Sequence, residues 1–391
     1  MKPRQPGVQG ENVTDDLIAR INVLAQTTSK KQSKETPPAP KNVAPLPGDA
    51  FTNPQLTLFQ AFLANSTDQR SALSNAVDLW DSVPRYTISR TRMTTLRDKN
   101  GDLDALSIPF TYRGRSLTAV IHPVRLKIDD KLGNKKFESY YPSAREELIE
   151  HALRKLAAEQ QCGFYDQSNY RSGVRFSLHQ LRKELARRGH TLRYDQLIEG
   201  LDILSMCAIE IRATNSDGEE AFRRSNYLPA LSGVQKADFE ANRDAKWVAQ
   251  FHPLLSRGID QVTYRQYNYD RLMRCKTQIA RWLIAQLVLK FVAASLGTTF
   301  VMRYSTIKRD SALLDGYAQE RDAFDALKEA WEEIKELGVL SRVDIELKRG
   351  ARGKLEEGIY TIYATKEFVG EQKAANRRLL DAKGIAELQP A

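Results

Sequence analysis

The sequence is poor in cysteine and has no long apolar run. Its three cysteines are Cys162, Cys207 and Cys275. Because none of them is spaced as a zinc or disulfide pair, we expect a reducing, cytoplasmic environment. The most apolar stretch, residues 282–296, is interrupted by Gln286 and Lys290, and it is shorter than the ~20 residues that span a bilayer. The first ten residues lack the apolar segment of a secretion signal. We therefore expect a buried helix at 282–296 and no membrane partner.

The motifs of common catalytic centres are also missing. The five histidines are His122, His151, His179, His190 and His252. They show no metal-ligand spacing, and isolated histidines are usually surface or satisfied core residues. The glycine-rich segment 350–354 is too short for a nucleotide-binding loop. Tyrosines are plentiful, which leaves a nicking or recombinase enzyme open, but no metal-ligand cluster accompanies them. We expect no enzyme activity, no metal and no cofactor.

Positive charge is in excess, because 59 lysines and arginines oppose 49 acids and give a net charge of +10. A basic chain favours a polyanionic partner, nucleic acid more readily than membrane. Many cytosolic proteins are mildly basic, so the position of the charge matters more than its total.

The stretch from Arg171 to Ile211 carries the clearest pattern. Two sets of leucines have helical spacing, and they are Leu178, Leu181 and Leu185, then Leu197, Leu201 and Leu204. Gly189 separates them, and glycine tolerates the turn conformations that other residues resist. Residues 208–211 then alternate as a strand does. Helix, turn, helix and strand is the order of a winged helix-turn-helix. Between Arg171 and Arg193 there are seven basic residues and one acidic residue, and this excess of positive charge favours DNA as the partner.

The start of the second helix predicts contacts to base edges, because arginine can pair with guanine and glutamine with adenine. The candidates are His190, Thr191, Arg193, Tyr194 and Gln196. Phosphate contacts are predicted around the turn and on a following β-wing. They are Lys183, Arg187, Arg188, Arg212, Arg223 and Arg224. The alternative is that these side chains form an ordinary solvated surface and a plain hairpin.

The second half repeats this plan. Residues 277–294, 306–314 and 318–337 predict helices, and 343–347 and 359–364 predict strands around a basic, glycine-rich tip. The third helix carries seven acids against three bases, so only its start is expected to enter a groove, through Gln319 and Arg321. The predicted phosphate contacts are Arg303, Lys308, Arg309, Lys348, Arg349, Arg352 and Lys354.

Ahead of the first helix-turn-helix, residues 107–112 and 116–125 alternate around Arg113-Gly114-Arg115 and predict a hairpin. Residues 144–159 predict a helix. We therefore predict an α+β fold of two winged-helix domains with a pseudo-two-fold relation. The predicted ranges are a disordered proline-rich arm at 1–54, a clamp-binding peptide and connector at 55–79, the first winged-helix domain at 80–228, a linker at 229–245, the second winged-helix domain at 246–366 and a charged tail at 367–391.

A short peptide follows the arm and consists of Gln55, Leu56, Thr57, Leu58 and Phe59. An extended peptide with a glutamine, two leucines and a phenylalanine suits a hydrophobic pocket that also offers a polar contact. This sequence resembles the pentapeptide with which bacterial proteins dock on the replicative sliding clamp. The alternative is a hydrophobic turn that leads into a helix.

With these elements placed, the chain resembles plasmid replication initiators of the iteron-binding kind, those of the TrfA type in particular. The resemblance covers roughly residues 53 to 366. It rests on the peptide QLTLF, on the paired winged-helix order, and on the segment that runs from Phe251 to Leu287, FHPLLSRGIDQVTYRQYNYDRLMRCKTQIARWLIAQL.

The resemblance implies a bacterial protein that binds direct repeats of duplex DNA at a plasmid origin and opens adjacent A·T-rich DNA without hydrolysing nucleotide. It further implies the sliding clamp, the replicative helicase and the host initiator as partners, and a dimeric free form. The rival reading is a transcriptional repressor with two DNA-binding units. That reading explains the helix-turn-helix patterns and the charge, but neither QLTLF nor the proline-rich arm.

Overall fold

In a computed structural model, the protein is described over a large part of its length. The described residues are 72–129, 135–157, 162–166, 171–214, 220–233, 246–350, 353 and 355–387. The predicted arm at 1–54 and the pentapeptide at 55–59 lie outside them, as do residues 234–245 of the predicted linker.

Strands and helices are interspersed along the chain. In chain order, the elements before the predicted linker are β1 (Leu73–Val77), α1 (Asp78–Ser82), α2 (Arg90–Leu96), β2 (Leu106–Tyr112), β3 (Arg115–His122), β4 (Val124–Asp129), β5 (Lys135–Tyr140), α3 (Ala144–Ala157), β6 (Gly163–Asp166), β7 (Arg171–Ser177), α4 (Leu178–Arg187), α5 (Tyr194–Met206), β8 (Ala208–Thr214) and β9 (Glu220–Asn226). The elements that follow are β10 (Leu231–Ser232), β11 (Lys246–Gln250), α6 (Pro253–Asp260), β12 (Tyr264–Asn268), α7 (Tyr269–Arg274), α8 (Gln278–Lys290), β13 (Thr299–Arg303), α9 (Tyr304–Ser311), α10 (Glu320–Glu336), β14 (Leu340–Arg349), β15 (Leu355–Ala364) and α11 (Lys366–Glu387). The fold is therefore of mixed α+β class.

All described strand pairs are antiparallel. Three of the described sheets are made from one half of the chain each, in the orders β2-β3-β8-β9, β4-β5 and β13-β15-β14. Two others mix the halves, because β1 pairs with β12 and β7 pairs with β11. The buried apolar side chains form one continuous core cluster. Strand pairing and core packing thus join the two halves across residues 234–245.

One order of elements occurs twice: helix, strand, helix, helix and two strands. It is formed first by α3, β7, α4, α5, β8 and β9, with the short strand β6 inserted between α3 and β7, and then by α8, β13, α9, α10, β14 and β15. In the second copy the three strands make their own sheet. In the first copy β7 pairs with β6 and β11, while the β8–β9 hairpin extends the β2–β3 hairpin. We call these two copies the first and second units.

The leucine patterns have the predicted outcome, because helical spacing places such residues on one face. Leu178, Leu181, Leu185, Leu197, Leu201 and Leu204 are all buried. The predicted hairpin turn is also present, with positive φ at both Arg113 and Gly114, as a two-residue turn between twisted strands requires. The predicted strand at 116–125 ends at His122, and a second hairpin, β4–β5, follows that the sequence pattern does not predict.

The C-terminal segment predicted as a charged tail contains the helix α11. Phe368, Val369 and Ala375 are buried, and Gln372 accepts a hydrogen bond from Arg265 of β12 at 2.7 Å. The apolar stretch at 282–296 supplies most of α8, whose Leu283 and Leu287 are fully buried. In the part of the chain that the structure describes, no helix is both long enough and apolar enough to cross a bilayer.

Candidate nucleic-acid interface

The turn between α4 and α5 is built by local sequence. Ser177 caps α4 by accepting a hydrogen bond from the Gln180 amide at 3.1 Å, and Gln180 accepts one in return from the Ser177 amide at 2.8 Å. Gly189 takes φ +89°, where a side chain would be strained. Arg193 precedes α5, and its backbone amide donates to the Gln196 side-chain oxygen at 2.9 Å. The side-chain oxygen of Gln196 is therefore used for capping, and its side-chain nitrogen remains available to donate to the edge of a DNA base.

Around the turn between α4 and α5, four predicted contact residues lie on the surface. Thr191, Lys183 and Arg187 are exposed, and the Arg193 side chain is 73% exposed. Arg193 donates to Asp195 at 2.8 Å and 3.0 Å, and this hydrogen bonding lowers the pKa of Asp195. Because both partners face solvent, the pair is weak and can exchange for a DNA contact.

Tyr194 is half-buried. The Arg182 guanidinium lies 4.9 Å from the centre of its ring, and its hydroxyl lies 3.4 Å from His179 Nδ1. The ring is thus supported by α4 while it stays at the edge of the turn.

Arg188 and His190 are placed differently from the prediction. The Arg188 side chain is only 8% exposed and is ion-paired with Glu184, at 3.0 Å, and with Asp270 of α7. His190 Nε2 lies 2.7 Å from the carbonyl oxygen of Met273, also in α7, and burial lowers its pKa. Both side chains hold the turn against α7. In this conformation they are not available to a phosphate or a base, which removes them from the candidate interface.

On the β8–β9 hairpin, a buried carboxylate organises two of the three predicted arginines. Glu210 is 1% exposed and accepts hydrogen bonds from Arg212 and from Arg224 Nε, the latter at 2.6 Å. Burial raises the pKa of Glu210, but hydrogen bonds from the two arginines outweigh it and lower the pKa overall. Arg223 pairs with Ile211 on the opposite face of the sheet. There, burial and nearby Arg257 lower its pKa, so Arg223 does not join the other two.

In the second unit, α10 starts at an exposed edge. Gln319 precedes it and is exposed, and the Arg321 side chain is 78% exposed. One face of the helix packs into the core, because Phe324, Leu327, Trp331 and Ile334 are buried. The exposed acids of the helix are Asp322, Asp325, Glu329, Glu332 and Glu336. Negative charge therefore covers the solvent side of α10 beyond its first turn.

The three predicted phosphate-contact residues before α10 differ in how available their side chains are to DNA. Arg303 is exposed on β13. Arg309 donates to its neighbour Asp310 at 2.8 Å and stays largely exposed. Lys308 donates to both oxygens of Glu320 at 2.7 Å and 2.9 Å, so its charge is already neutralised by the first turn of α10.

The predicted second wing corresponds to the hairpin of β14 and β15. Lys348 and Arg349 are exposed, and Arg349 donates to the carbonyl oxygen of Gly353 at 3.1 Å. Arg352 and Lys354 lie outside the described residues, so their predicted phosphate contacts stay predictions.

Sequence patterns do not reveal a dense polar cluster that lies within the first half and reaches α8 of the second. Arg154 donates to both oxygens of Asp81 at 2.8 Å and 3.0 Å, and Glu147 accepts from Arg281 of α8 at 3.2 Å. These partners are far apart in the chain, so no local motif marks them. A pocket of about 50 Å³ opens among them, lined in part by Asp81, Glu147 and Arg281. It is far below the roughly 300 Å³ of a small ligand pocket.

No group of three His, Cys, Asp or Glu side chains among the described residues could hold a metal ion. The exposed basic edges of the two predicted helix-turn-helix segments and their hairpins carry most of the predicted contact residues that the structure describes.

Comparison with known proteins gives distant structural similarities only. No protein-family model matches the sequence, and no curated protein matches it. The crystal structure of domains 2 and 3 of RctB is 10% identical and has a TM-score of 0.40, over 72% of this chain and 97% of that one. A selenomethionine form of those domains is 11% identical with a TM-score of 0.39, over 68% and 93% of the two chains. The Pi initiator protein in complex with iteron DNA is 13% identical with a TM-score of 0.32, over 76% and 99%. At these values the similarities do not assign the chain to a family.

Proposed function

We propose that the protein binds duplex DNA at repeated sites through two winged-helix units. One observation carries the proposal. In each unit, the second helix of the helix-turn-helix starts at the surface and has an arginine in or just before its first turn. The side chain of Arg193 is 73% exposed and that of Arg321 is 78% exposed. In this class of fold, the start of that helix enters the major groove, where arginine can pair with guanine.

The other exposed lysines and arginines of the candidate interface supply contacts to DNA phosphates, which position a protein without reading sequence. In the first unit we assign them to Lys183, Arg187, Arg212 and Arg224. In the second unit we assign them to Arg303, Arg309, Lys348 and Arg349. Base contacts are proposed for Thr191, Arg193, Tyr194, Gln196, Gln319 and Arg321. Because phosphate neutralisation releases counterions, the affinity should fall steeply with salt.

We further propose that this binding serves replication initiation at a plasmid origin, with opening of adjacent DNA and recruitment of the sliding clamp, helicase and host initiator. The peptide Gln55–Phe59 and the long arm ahead of it support this role over a repressor, which needs neither. The protein acts as a binding protein in the cytoplasm, without enzymatic turnover or a cofactor.

The test is selection of binding sites from random duplex by the full-length protein, followed by footprinting on the parental replicon. The proposal expects a sequence enriched as repeats that lie within one origin. Enrichment of a single operator upstream of a promoter, with no clamp binding, would favour the repressor. No sequence enrichment at all would refute specific DNA binding.

A further inference from the structure

The first unit's helix-turn-helix does not stand alone, because its turn packs on α7 from the second half of the chain. Arg188, at the end of α4, is ion-paired with Asp270, and its guanidinium lies 5.2 Å from the centre of the Tyr269 ring. Two residues further on, His190 Nε2 lies 2.7 Å from the Met273 carbonyl oxygen. Three contacts thus fix a turn that ends at Arg193, the residue that immediately precedes α5.

These contacts are of the kind that fix geometry. The Arg188 charge is withdrawn from water between two carboxylates, Glu184 of its own helix and Asp270 of α7. A buried charge is tolerated only while it is paired; removal of Asp270 leaves Arg188 paired with Glu184 of α4 but no longer ion-paired with α7. The ion pair between Arg188 and Asp270 therefore links the turn to α7, and loss of either side chain breaks that link.

The helix α7 is itself held from its other side. Arg271 donates to Glu371 at 2.6 Å and to Glu367 at 2.7 Å, both on α11. Asn268 caps α7 by accepting from the Arg271 amide at 3.1 Å, and its side-chain amide donates to Glu371 at 3.0 Å. The six residues of α7 are thus a support that is fixed to the C-terminal helix.

We propose that Asp270 is a positioning residue for DNA recognition by the first unit. By holding Arg188, it sets the path of the chain from 188 to 193 and so the direction from which Arg193 meets a base. The inference rests on the proposed function and adds a role for residues that do not touch DNA.

The direction in which one substitution changes DNA affinity distinguishes this role from a simple effect of charge. Asp270→Asn removes one negative charge and raises the net charge from +10 to +11. If Arg188 were a phosphate contact, its release would tighten binding to every duplex. If Asp270 positions the turn, binding to the selected site weakens by about tenfold, as expected for loss of one networked contact, while binding to random duplex does not weaken.

The experiment measures equilibrium binding of full-length protein to the selected duplex and to a scrambled one of the same length. Asp104→Asn is the matched control, since it changes the charge equally at an exposed carboxylate. Arg188→Gln and the Arg188→Gln, Asp270→Asn double variant complete a cycle. Thermal unfolding of each variant shows whether it is folded at the assay temperature.

The proposal expects both single variants to lose about tenfold on the selected duplex only, and the double variant to lose no more than either one. Equal behaviour of Asp270→Asn and Asp104→Asn would overturn it. Should Asp270→Asn fail to fold, Arg188→Gln decides alone, because equal loss on both duplexes would identify a phosphate contact and overturn the positioning role. A wild-type protein without preference for any duplex would refute the proposed function as well.

Discussion

Arg193 is the residue whose removal tests base recognition most sharply. Its side chain is 73% exposed, and its only ion pair in the described part of the chain joins it to Asp195, which is also exposed. Nothing in the folded core depends on it, so Arg193→Ala should leave the protein folded. A bidentate arginine–guanine pair discriminates against other bases by roughly fivefold to a hundredfold. We expect a loss of that size on the selected duplex.

The measurement is fluorescence anisotropy on the selected and scrambled duplexes over a range of salt. Lys183→Ala provides the contrast, because an exposed phosphate contact should weaken both duplexes alike and reduce the slope of log K against log salt by about 0.9. Arg125→Ala is the matched control, since Arg125 is also an exposed arginine paired with an aspartate, Asp102, but lies on β4 outside the candidate interface. Equal losses on both duplexes for Arg193→Ala would refute the assignment of a base contact.

Three further predictions follow from sequence and structure. The Leu58→Ala, Phe59→Ala double variant should lose capture of purified sliding clamp while it binds duplex DNA as the wild type does; a wild type that fails to capture clamp would contradict the initiator role. Burial lowers the pKa of His151 to about 4, from about 6.5 in the unfolded chain, so the unfolded chain takes up the proton first and stability is complete above pH ~6.5 but falls towards pH 4. Urea unfolding should show the wild type losing about 2 kcal/mol more than His151→Gln between pH 7 and 5, and parallel pH profiles would contradict this placement of His151. Gly189→Ala should lower the free energy of unfolding by roughly 1 kcal/mol, because the left-handed φ disfavours a side chain even where no neighbour lies within 4 Å; an unchanged denaturant midpoint would show that the turn adopts another conformation.

Much of the local structure can be predicted because it depends on short-range periodicity. The leucines at 178, 181 and 185 and those at 197, 201 and 204 are buried as helical spacing requires. The hairpin at Arg113-Gly114 follows from turn chemistry. Even the separation of Arg223 from Arg224 is contained in the sequence, since adjacent residues of a strand point to opposite faces.

The placement of Arg188 and His190 depends on distant partners. Arg188 and His190 sit in a basic turn, which predicts DNA contact, but α7 supplies Asp270 and the Met273 carbonyl about eighty residues later. The pairing of β7 with β11 and of β1 with β12 is equally non-local. Local pattern carries no information on which strand will pair with which across such separations. The two units are consequently more closely joined than two separate modules would be.

The central claim is that each unit grips its own segment of one duplex. Hydroxyl-radical footprinting of the full-length protein on the selected site, compared with Arg193→Ala and Arg321→Ala, tests it most directly. The account predicts two protected segments on one duplex, with each variant losing protection over a different one. A single protected segment, or loss of the same segment in both variants, would contradict it.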